Sequence, residues 1–403
     1  MSTDAHLILI AGALLAAGVA AALLASRLRL PALVLFLGVG MAIGSDGLGW
    51  IYFDDYGLAR FVGTVALLVI LFEGGLSTGL RVLRPVLGTA VSLATVGTAL
   101  TAVIAGLCAH WLIGLSVSEG LLLGAILSPT DGAAVFALMR GVALPRRLQL
   151  VLEGEAGFND PVAVVLVLVM IEVVHRPGYE PLAAVWFLVR ELGVGLLVGW
   201  VVGRLAPRAL RRIAGGAPGV ELVATFAVAA IAFGAAGSLE GSGFLAVYVA
   251  GLGLGDAPLP ERESVVAFHG GLASVAELGM FLTLGLLVFP SRLGGVALRG
   301  TVLALLVVFA ARPLGAWAAT VRGRLSTRER SLVAWAGLRG GVPVVLATLP
   351  VLDGVHGSVG FFDLVFFAVL VSTVVQGTTV EWLAGRLGLA AEEGTSARAP
   401  SSG

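Results

Sequence analysis

Thirteen apolar runs, separated by polar or Gly/Pro-rich breaks, constrain the fold of this chain more than any other feature of its sequence. A helix needs roughly 20 predominantly apolar residues to cross the hydrocarbon core of a bilayer. With 58% hydrophobic and 12% charged residues, the chain does not have the composition of a water-soluble protein. We therefore expect an all-α, polytopic membrane protein of about 13 transmembrane helices. The runs cover approximately residues 6–25, 31–47, 60–80, 86–113, 118–140, 148–174, 181–205, 219–238, 243–255, 264–290, 296–321, 329–350 and 360–385.

The basic residues, all of them arginine, predict the orientation of these helices. Cytoplasmic loops of membrane proteins carry an excess of positive charge. Eighteen arginines fall in alternate connections, starting with Arg27 and Arg29 after the first run, and four fall in the other connections. Because no arginine precedes the first run, that run does not resemble a cleaved signal peptide. We expect a multi-pass protein of the plasma (inner) membrane, with its N-terminus outside and its C-terminus in the cytoplasm.

The charge balance and the cysteine and histidine content exclude several classes of function. The 25 acidic residues balance the 25 basic ones, so the chain lacks the basic surface of a nucleic-acid-binding protein. Because it has no lysine, it has neither a P-loop lysine nor a Schiff-base lysine. Its single cysteine, Cys108, and its five scattered histidines form no pattern of metal ligands. We expect membrane lipid around the protein, no cofactor and no nucleic-acid partner.

Six ionisable side chains lie near the middle of the predicted spans. Each costs at least about 2.5 to 3.5 kcal/mol to place at that depth, so each needs a partner or a function. The six are Glu73 in helix three, Asp131 in helix five, Glu155 and Asp160 in helix six, Arg312 in helix eleven and Arg339 in helix twelve. They are the candidate functional residues of the chain.

Two of the predicted helices, five and twelve, carry residues that break helical hydrogen bonding. Helix five reads SPTDG at 128–132, where the proline lacks a backbone donor and the serine and threonine compete for backbone bonds. Helix twelve reads GLRGGVP at 337–343. Irregular backbone at membrane depth is tolerated only where it lines a cavity or is covered by protein, so these breaks predict a transport site. A simple proline kink is the alternative for the segment in helix five.

The two broken helices are seven positions apart in the order of helices. Two inverted six-helix repeats joined by a linker helix would give this offset, with the fifth member of each repeat broken. We therefore expect two inverted repeats whose broken helices cross at the middle of the membrane.

Helix six carries two rows of polar side chains. Glu155 stacks on the same face as Asn159, and a cation from a neighbouring helix, for which Arg312 is a candidate, could pair with Glu155 and hold Asn159 in place. Asp160 has no arginine committed to it, so either a proton or a monovalent cation can neutralise its carboxylate. One carboxylate with two mutually exclusive occupants is the minimal chemistry of an exchanger. Direct ligation of an ion by Glu155 is the alternative to a purely structural pair.

Five motifs together resemble those of the monovalent cation:proton antiporters of the first cation:proton antiporter family, NhaP type, over most of residues 5–388. They are FEGGL at 72–76, SPTDGAAVF at 128–136, EAGFNDP at 155–161, AARPLG around Arg312 and GLRGG at 337–341. The stretch LVLFLGVGMAIGSDG and the string TDGAAVF are most similar to the potassium/proton branch of that family.

The resemblance implies a secondary transporter that exchanges K⁺ and/or Na⁺ for protons by an elevator-like movement. It implies a homodimer, and electroneutral exchange because Asn159 precedes Asp160 where a second aspartate could stand. The transmembrane antiporter domain would cover residues 1–388. Its dimerisation part would comprise about 1–80 and 181–290, and its transport core about 86–174 and 296–386.

The resemblance also implies roles for individual residues. A monovalent cation and a proton would compete for Asp160. The side chains or backbone that complete the cation site would come from Asp131, Thr130, Glu73 and Asn159, with the cation held at Asp160 and Asp131. Glu155 and Arg312 would form a structural ion pair, and Arg339 would compensate the charges at the ends of the broken helices.

Two departures from the family pattern change what is expected. Ala156 stands where the family commonly has serine, and Phe158 replaces a smaller residue, so cation affinity or selectivity can differ. Residues 389–403 form a short segment rich in Ala, Gly, Ser and Glu, which we expect to be a disordered cytoplasmic tail.

Two other classes of function stay open at this point. The sequence GLGD at 253–256 resembles half of an intramembrane aspartyl protease site, although no helix supplies the second aspartate in its usual context. A polytopic membrane enzyme with intramembrane carboxylates is therefore one alternative. A cation channel is the other, although the chain has no filter-like repeated loop.

Overall fold

A computed structural model describes residues 2–28, 31–132, 144–176, 178–213, 219–259 and 261–389 of the chain. Within these ranges the regular structure is helical throughout, which confirms the predicted all-α class. Residues 133–136 of the SPTDGAAVF motif and the predicted tail beyond Leu389 lie outside the described residues.

The described helices follow one another with short connections, and we label them so that the two halves of the twelfth share a number. A one-turn helix, Leu80–Leu83, links α3 to α4. The others are α1 (Ser2–Leu28), α2 (Ala32–Ile43), α3 (Tyr56–Thr78), α4 (Leu87–Ile113), α5 (Val117–Leu127), α6 (Arg146–His175), α7 (Pro181–Ile213), α8 (Val220–Ser238), α9 (Gly243–Gly255), α10 (Arg262–Leu286), α11 (Pro290–Thr320), α12a (Thr327–Trp335), α12b (Gly341–Leu352) and α13 (Ser358–Arg386).

These helices coincide with the thirteen predicted runs. Among the described residues, nine helices are long and apolar enough to cross a membrane, and four shorter helices are also apolar. The protein is therefore a multi-pass membrane protein. The predicted run at 118–140 differs most, because its helical bonding ends at Leu127 and its second half lies mostly outside the described residues.

Each irregular helix of the first six has a counterpart seven positions later in the order of helices. Two six-helix repeats joined by the linker α7 would give this interval. The four short helices are the second, fifth, ninth and twelfth: α2, α5, α9 and α12b. A π-helical turn interrupts the fourth helix at Leu93–Gly97 and the eleventh at Val307–Ala311. Both broken helices start with a serine capping box, Ser116 with Glu119 and Ser326 with Glu329. These coincidences confirm the predicted repeats.

The capping boxes also fix the depth of the two breaks. Each helix begins at a defined residue, because the capping serine and glutamate satisfy backbone N–H groups that the first turn leaves free. Helical bonding ends at Leu127, eleven residues after Ser116, and at Trp335, nine residues after Ser326. At 1.5 Å per residue this is roughly 14 to 17 Å, about half the thickness of a bilayer core. Two inverted helices of this design meet near the midplane.

Small residues bring the helices of the two repeats into close contact. α3 packs against α9, where a Cβ added to Gly251 would lie 2.6 Å from the Phe72 carbonyl oxygen. α2 packs against α10, where a Cβ added to Gly285 would lie 2.5 Å from the Leu37 carbonyl oxygen. Helix association in lipid depends on such close van der Waals packing. The first contact holds α3 against α9, and the second holds α2 against α10.

Candidate functional site

The breaks of α5 and α12 meet through hydrogen bonds between their backbones and one carboxylate. The backbone N–H of Asp131 donates to the Leu338 carbonyl oxygen at 2.8 Å. The Asp131 Oδ2 atom accepts from the backbone N–H of Gly341, the first residue of α12b, at 2.9 Å. A carboxylate is favourable there because a helix N-terminus carries partial positive charge. Gly340 makes the approach possible, since a Cβ at that position would lie 1.5 Å from Asp131 Oδ2.

The break of α12 places Arg339 at the C-terminal end of α5, where the helix carries partial negative charge. Arg339 is 1% exposed, and its Nε donates to the carbonyl oxygen of Leu127, the last residue of α5, at 3.1 Å. Its Nη1 donates to the Gly337 carbonyl oxygen at 2.7 Å. Ser372 and Thr373 of α13 bind its backbone N–H and carbonyl. Each break therefore supplies a charge that stabilises a helix end at the other break. The Asp131 carboxylate lies at the N-terminus of α12b, and the Arg339 guanidinium lies at the C-terminus of α5.

Glu155 and Arg312 form a buried, bidentate ion pair. The Nη1 and Nη2 atoms of Arg312 donate to Oε1 and Oε2 of Glu155 at 2.5 and 3.0 Å, and both residues are 1% exposed. The Nη2 atom also donates to the Val333 carbonyl oxygen at 3.1 Å. The pair joins α6, α11 and α12a, so breaking it would leave one charge buried without its partner.

The hydrogen-bond partner of Asn159 lies in the break of α5, whereas the sequence predicts only that the Glu155–Arg312 pair holds Asn159 in place. Its Nδ2 donates to Thr130 Oγ1 in the break of α5, and both residues are buried. No hydrogen bond joins it to the Arg312 side chain among the described contacts; Arg312 instead binds Glu155 and Val333. The amide thus positions the broken segment directly, and the ion pair lies one helical turn away from it on α6.

Asp160 lines a small cavity next to these breaks. It is 5% exposed, and its Oδ1 atom has no hydrogen-bond partner in the part of the chain that the structure describes. The cavity has a volume of about 30 Å³. Its lining consists of Leu67, Ile70, Leu71, Gly74, Asp131, Gly132, Glu153, Ala156, Gly157, Asp160, Tyr248, Met280 and Val342. Asp131 and Asp160 therefore face the same space, next to the backbone of both broken helices.

The cavity extends from Asp160 towards the N-terminus of α6. Glu153, which also lines it, lies seven residues before Asp160, or roughly 10 Å along the helix. The Glu153 carboxylate accepts from Thr78 at 3.5 Å and pairs at 3.4 Å with Arg146 in the first turn of α6. The cavity therefore extends from Asp160 towards the end of α6 at which Arg146 lies.

Two polar residues of the cavity lining, Glu153 and Tyr248, are not among the site residues predicted from the sequence. Tyr248 of α9 is 2% exposed and covers α6 so closely that a Cβ on Gly157 would lie 2.1 Å from its ring. Its ring also makes an edge contact with Phe158, 5.0 Å between centroids. Nothing in the sequence around Tyr248 marks it, because its role depends on the packing of α9 against α6. Glu153 could have been noticed as a second carboxylate two residues before Glu155.

Glu73 differs from Asp131 and Asp160 in its position relative to the cavity. It lies on α3 and is partly buried, but it is not among the residues that line the cavity. The structure thus brings Asp131, Thr130, Asn159 and Asp160 together, with the Glu155–Arg312 pair and Arg339 supporting them. Among the described residues, no group of three His, Cys, Asp or Glu side chains is arranged to hold a metal ion.

Comparison with known proteins agrees with this architecture. The family model described as "Sodium/hydrogen exchanger, transmembrane" matches residues 12–386. The chain belongs to the sodium/hydrogen exchanger family. A K(+)/H(+) antiporter NhaP2 of Shewanella sp. (strain MR-4) is 40% identical to it over 377 residues, covering 92% of this chain and 65% of that protein. A K(+)/H(+) antiporter NhaP of Alkalimonas amylolytica is 37% identical over 375 residues, covering 93% of this chain and 65% of that one.

This member of the sodium/hydrogen exchanger family spans about two thirds of the length of those curated relatives. Its fold is similar to that of the sodium proton antiporter MjNhaP1 from Methanocaldococcus jannaschii, with a TM-score of 0.81 and 25% identity. The match covers 94% of this chain and 98% of that one. These relatives are named as antiporters, which are transporters rather than enzymes.

Proposed function

We propose that this protein exchanges a monovalent cation for a proton at Asp160. The observation that carries the proposal is the contrast between two carboxylates on α6. Glu155 is held by Arg312, whereas Asp160 faces a small cavity with an oxygen that accepts no hydrogen bond from the described residues. A buried carboxylate without a counter-charge must be neutralised. A proton or a monovalent cation can do this, but both cannot occupy one oxygen at once. Asp131 would contribute a second oxygen to the cation.

We propose K⁺ as the preferred cation, with Na⁺ as the alternative, because both curated relatives described above are named K⁺/H⁺ antiporters. We also propose electroneutral exchange. The Asp131 carboxylate is engaged with the N-terminus of α12b, and Asn159 contributes no charge, so Asp160 is the group whose charge changes. One proton exchanged for one monovalent cation moves no net charge.

For the transport movement, we propose that a core of about residues 86–174 and 296–386 slides against a homodimeric frame of about 1–80 and 181–290. The cavity suits such a movement because its lining comes from both parts. Asp160 and Asp131 belong to the core, whereas Leu67, Tyr248 and Met280 belong to the frame. A shift of α6 past α9 would carry Asp160 away from Tyr248. It would also move Glu153 relative to the frame residues that line the cavity.

We further propose the plasma membrane as the location, with the N-terminus outside and the C-terminus in the cytoplasm. Arginine-rich connections then face the cytoplasm, as positive charges favour. Reporter fusions at both ends test the orientation. A C-terminus found outside the cell would contradict the proposed orientation.

The central test reconstitutes the purified protein in liposomes with a pH gradient and a fluorescent pH indicator. Adding K⁺, Na⁺, Li⁺ and Rb⁺ in turn gives the selectivity, and we expect K⁺ to dissipate the gradient at the lowest concentration. The rate should not change when a membrane potential is imposed. A cation channel would instead carry current along that potential.

Asp160→Asn should lose all measurable exchange while the protein keeps its fold. Asp353→Asn is the matched control, since the same change is made at an exposed aspartate in the connection after α12b. Undiminished exchange by Asp160→Asn would overturn the role proposed for Asp160. Loss of exchange in both variants would indicate that the reconstitution had failed, because Asp353 lies outside the proposed site.

A further inference from the structure

A second, much larger cavity lies along the outside of the protein, between the frame helices α7 and α9 and the core helices α4 and α6. Its volume is about 1180 Å³. Leu192, Gly193, Leu196, Leu197 and Trp200 of α7 form one wall, and Leu245, Val249, Leu252 and Gly253 of α9 form the floor. Leu87, Val91, Phe158 and Val162 of α4 and α6 form the opposite wall. We call this cavity the lateral groove.

One end of the lateral groove is strongly basic. Arg204, Arg208 and Arg211 of α7 line it on successive turns, and Arg81 lines it from the connection after α3. All four side chains are exposed, and within the described part of the chain none of them forms a salt bridge. The one acidic residue in the lining, Asp256, accepts hydrogen bonds from the backbone N–H of Arg81 at 3.0 and 3.1 Å. The lining therefore has an excess of positive charge, four arginines against one carboxylate.

The dimensions of the groove fit a lipid. From Leu192 to Arg204 is twelve residues of α7, or roughly 18 Å of apolar wall below the arginines. One leaflet of the hydrocarbon core is about 15 Å thick. A soluble phosphate compound would use the arginines but leave this apolar wall empty, whereas an acyl chain would cover it. Basic pockets between transmembrane helices at the cytoplasmic side suit anionic headgroups.

We propose that the lateral groove binds one anionic phospholipid, with its phosphate on Arg204, Arg208, Arg211 and Arg81 and its acyl chains along the apolar wall. The bound lipid contacts Phe158 and Val162, which flank Asn159 and Asp160 on α6. It therefore lies between the core and the frame without touching the small cavity. If the core slides as proposed above, the lipid controls the rate of the movement and leaves cation affinity unchanged.

Binding is tested on the full purified chain in detergent, with phosphatidylglycerol, phosphatidylcholine and inorganic phosphate as separate probes. Native mass spectrometry counts bound lipid, and thermal unfolding gives the concentration dependence. The variant R204Q/R208Q/R211Q should weaken phosphatidylglycerol binding by about 100-fold, because each basic residue near an anionic headgroup contributes roughly fivefold. The control R322Q/R324Q/R328Q removes three exposed arginines from the loop before α12a and the first turn of that helix, and it should bind as the unchanged protein does.

The apolar wall is tested separately by filling it. Gly193→Leu adds a side chain where a Cβ meets no atom within 4 Å, so it projects into the groove without a backbone clash. Gly234→Leu on α8, where a Cβ also meets nothing within 4 Å, controls for the gain in helix propensity. We expect Gly193→Leu alone to lower phosphatidylglycerol binding and to change the exchange rate at an unchanged half-saturating cation concentration.

Several results would overturn the proposal. Equal phosphatidylglycerol binding by the two triple variants would remove the headgroup site, and inorganic phosphate that stabilises the protein as well as the lipid does would show a simple anion site. A change from dimer to monomer in R204Q/R208Q/R211Q, with lipid binding intact, would show that a second copy of the chain covers the groove. These binding measurements do not depend on transport, so they are distinguishable from a failure of the exchange proposal.

Discussion

Two carboxylates five residues apart on α6 have opposite surroundings. Glu155 receives two hydrogen bonds from Arg312, and the pair is fixed between three helices. Asp160 is also buried, but it faces a cavity, and one of its oxygens accepts no hydrogen bond within the described part of the chain. The difference shows how one helix can carry both a structural and a functional carboxylate. Arg312 neutralises Glu155 permanently, whereas Asp160 can be neutralised by a proton or a cation that dissociates again.

The largest expected effect on stability comes from removing half of the fixed pair. Glu155→Gln or Arg312→Gln leaves an uncompensated buried charge, which typically costs about 3 to 5 kcal/mol. Asp160→Asn removes a charge that has no arginine partner, so it should leave the melting temperature in detergent unchanged or higher. Thermal unfolding of the three variants tests the comparison. Equal destabilisation by all three would contradict it.

Replacing both members of the pair sharpens the same point. Apolar residues of similar volume often restore the stability that a single charge deletion removes. Glu155→Leu combined with Arg312→Met should therefore recover most of the loss caused by Arg312→Gln. If the double variant is as unstable as the single one, the pair does more than neutralise itself, and Glu155 becomes a candidate for direct ion ligation.

A smaller loss is expected at the crossing of the broken helices. Arg339→Gln replaces two charge-assisted hydrogen bonds to the Leu127 and Gly337 carbonyl oxygens, each worth about 1.5 to 3 kcal/mol, with neutral ones of about 1 kcal/mol each, a net loss of about 1 to 4 kcal/mol. Thr373→Ala removes a neutral hydrogen bond to the Arg339 carbonyl and should cost about 1 kcal/mol. Denaturation of both variants measures the ratio. A larger cost for Thr373→Ala would mean that the backbone at the break, and not its charge, holds the crossing.

The occupant of the cavity can be altered without changing any charge. Ala156→Ser adds a hydroxyl to the lining beside Asp160. A gained oxygen ligand of at most about 1.4 kcal/mol would raise cation affinity by up to tenfold. The half-saturating K⁺ and Na⁺ concentrations of exchange measure this change. An identical shift for protons and both cations would show that the hydroxyl alters the cavity rather than ligating the ion.

The smallest expected effect concerns Asp46, an exposed carboxylate that accepts hydrogen bonds from Ser291. Hydrogen bonds from the Ser291 side chain and backbone N–H, the latter at 2.6 Å, lower the pKa of Asp46 in the α2–α3 connection below its usual 3.8. A lowered pKa contributes stability above the unfolded value that is lost as pH falls through the folded value. The melting temperature of Asp46→Asn should therefore lie slightly below that of the unchanged protein above about pH 4. The gap should close at lower pH, and a gap that widens there would be inconsistent with this pairing.

Much of the fold could be predicted because the bilayer imposes a length on every helix. Apolar runs, the arginine bias and the breaks at Pro129 and Gly340 are local signals, and the repeat followed from counting helices. The partners within the site were harder to predict. Stacking on α6 suggested that Asn159 belongs with Glu155, but its hydrogen-bond partner comes from the break of α5, 29 residues away. Tyr248 enters the site only through the packing of α9 on α6, which no local pattern in the sequence encodes.

The small size of the cavity at Asp160 has a consequence for selectivity. A volume of about 30 Å³ leaves room for roughly one or two water-sized occupants. A cation that enters must therefore give up most of its hydration shell, and the oxygens around it must repay that dehydration. Because smaller ions hold water more tightly, the dehydration cost favours a larger monovalent cation, in the direction of the K⁺ preference proposed above. Dehydration cost would then set the preference, and the charge of Asp160 would set the coupling.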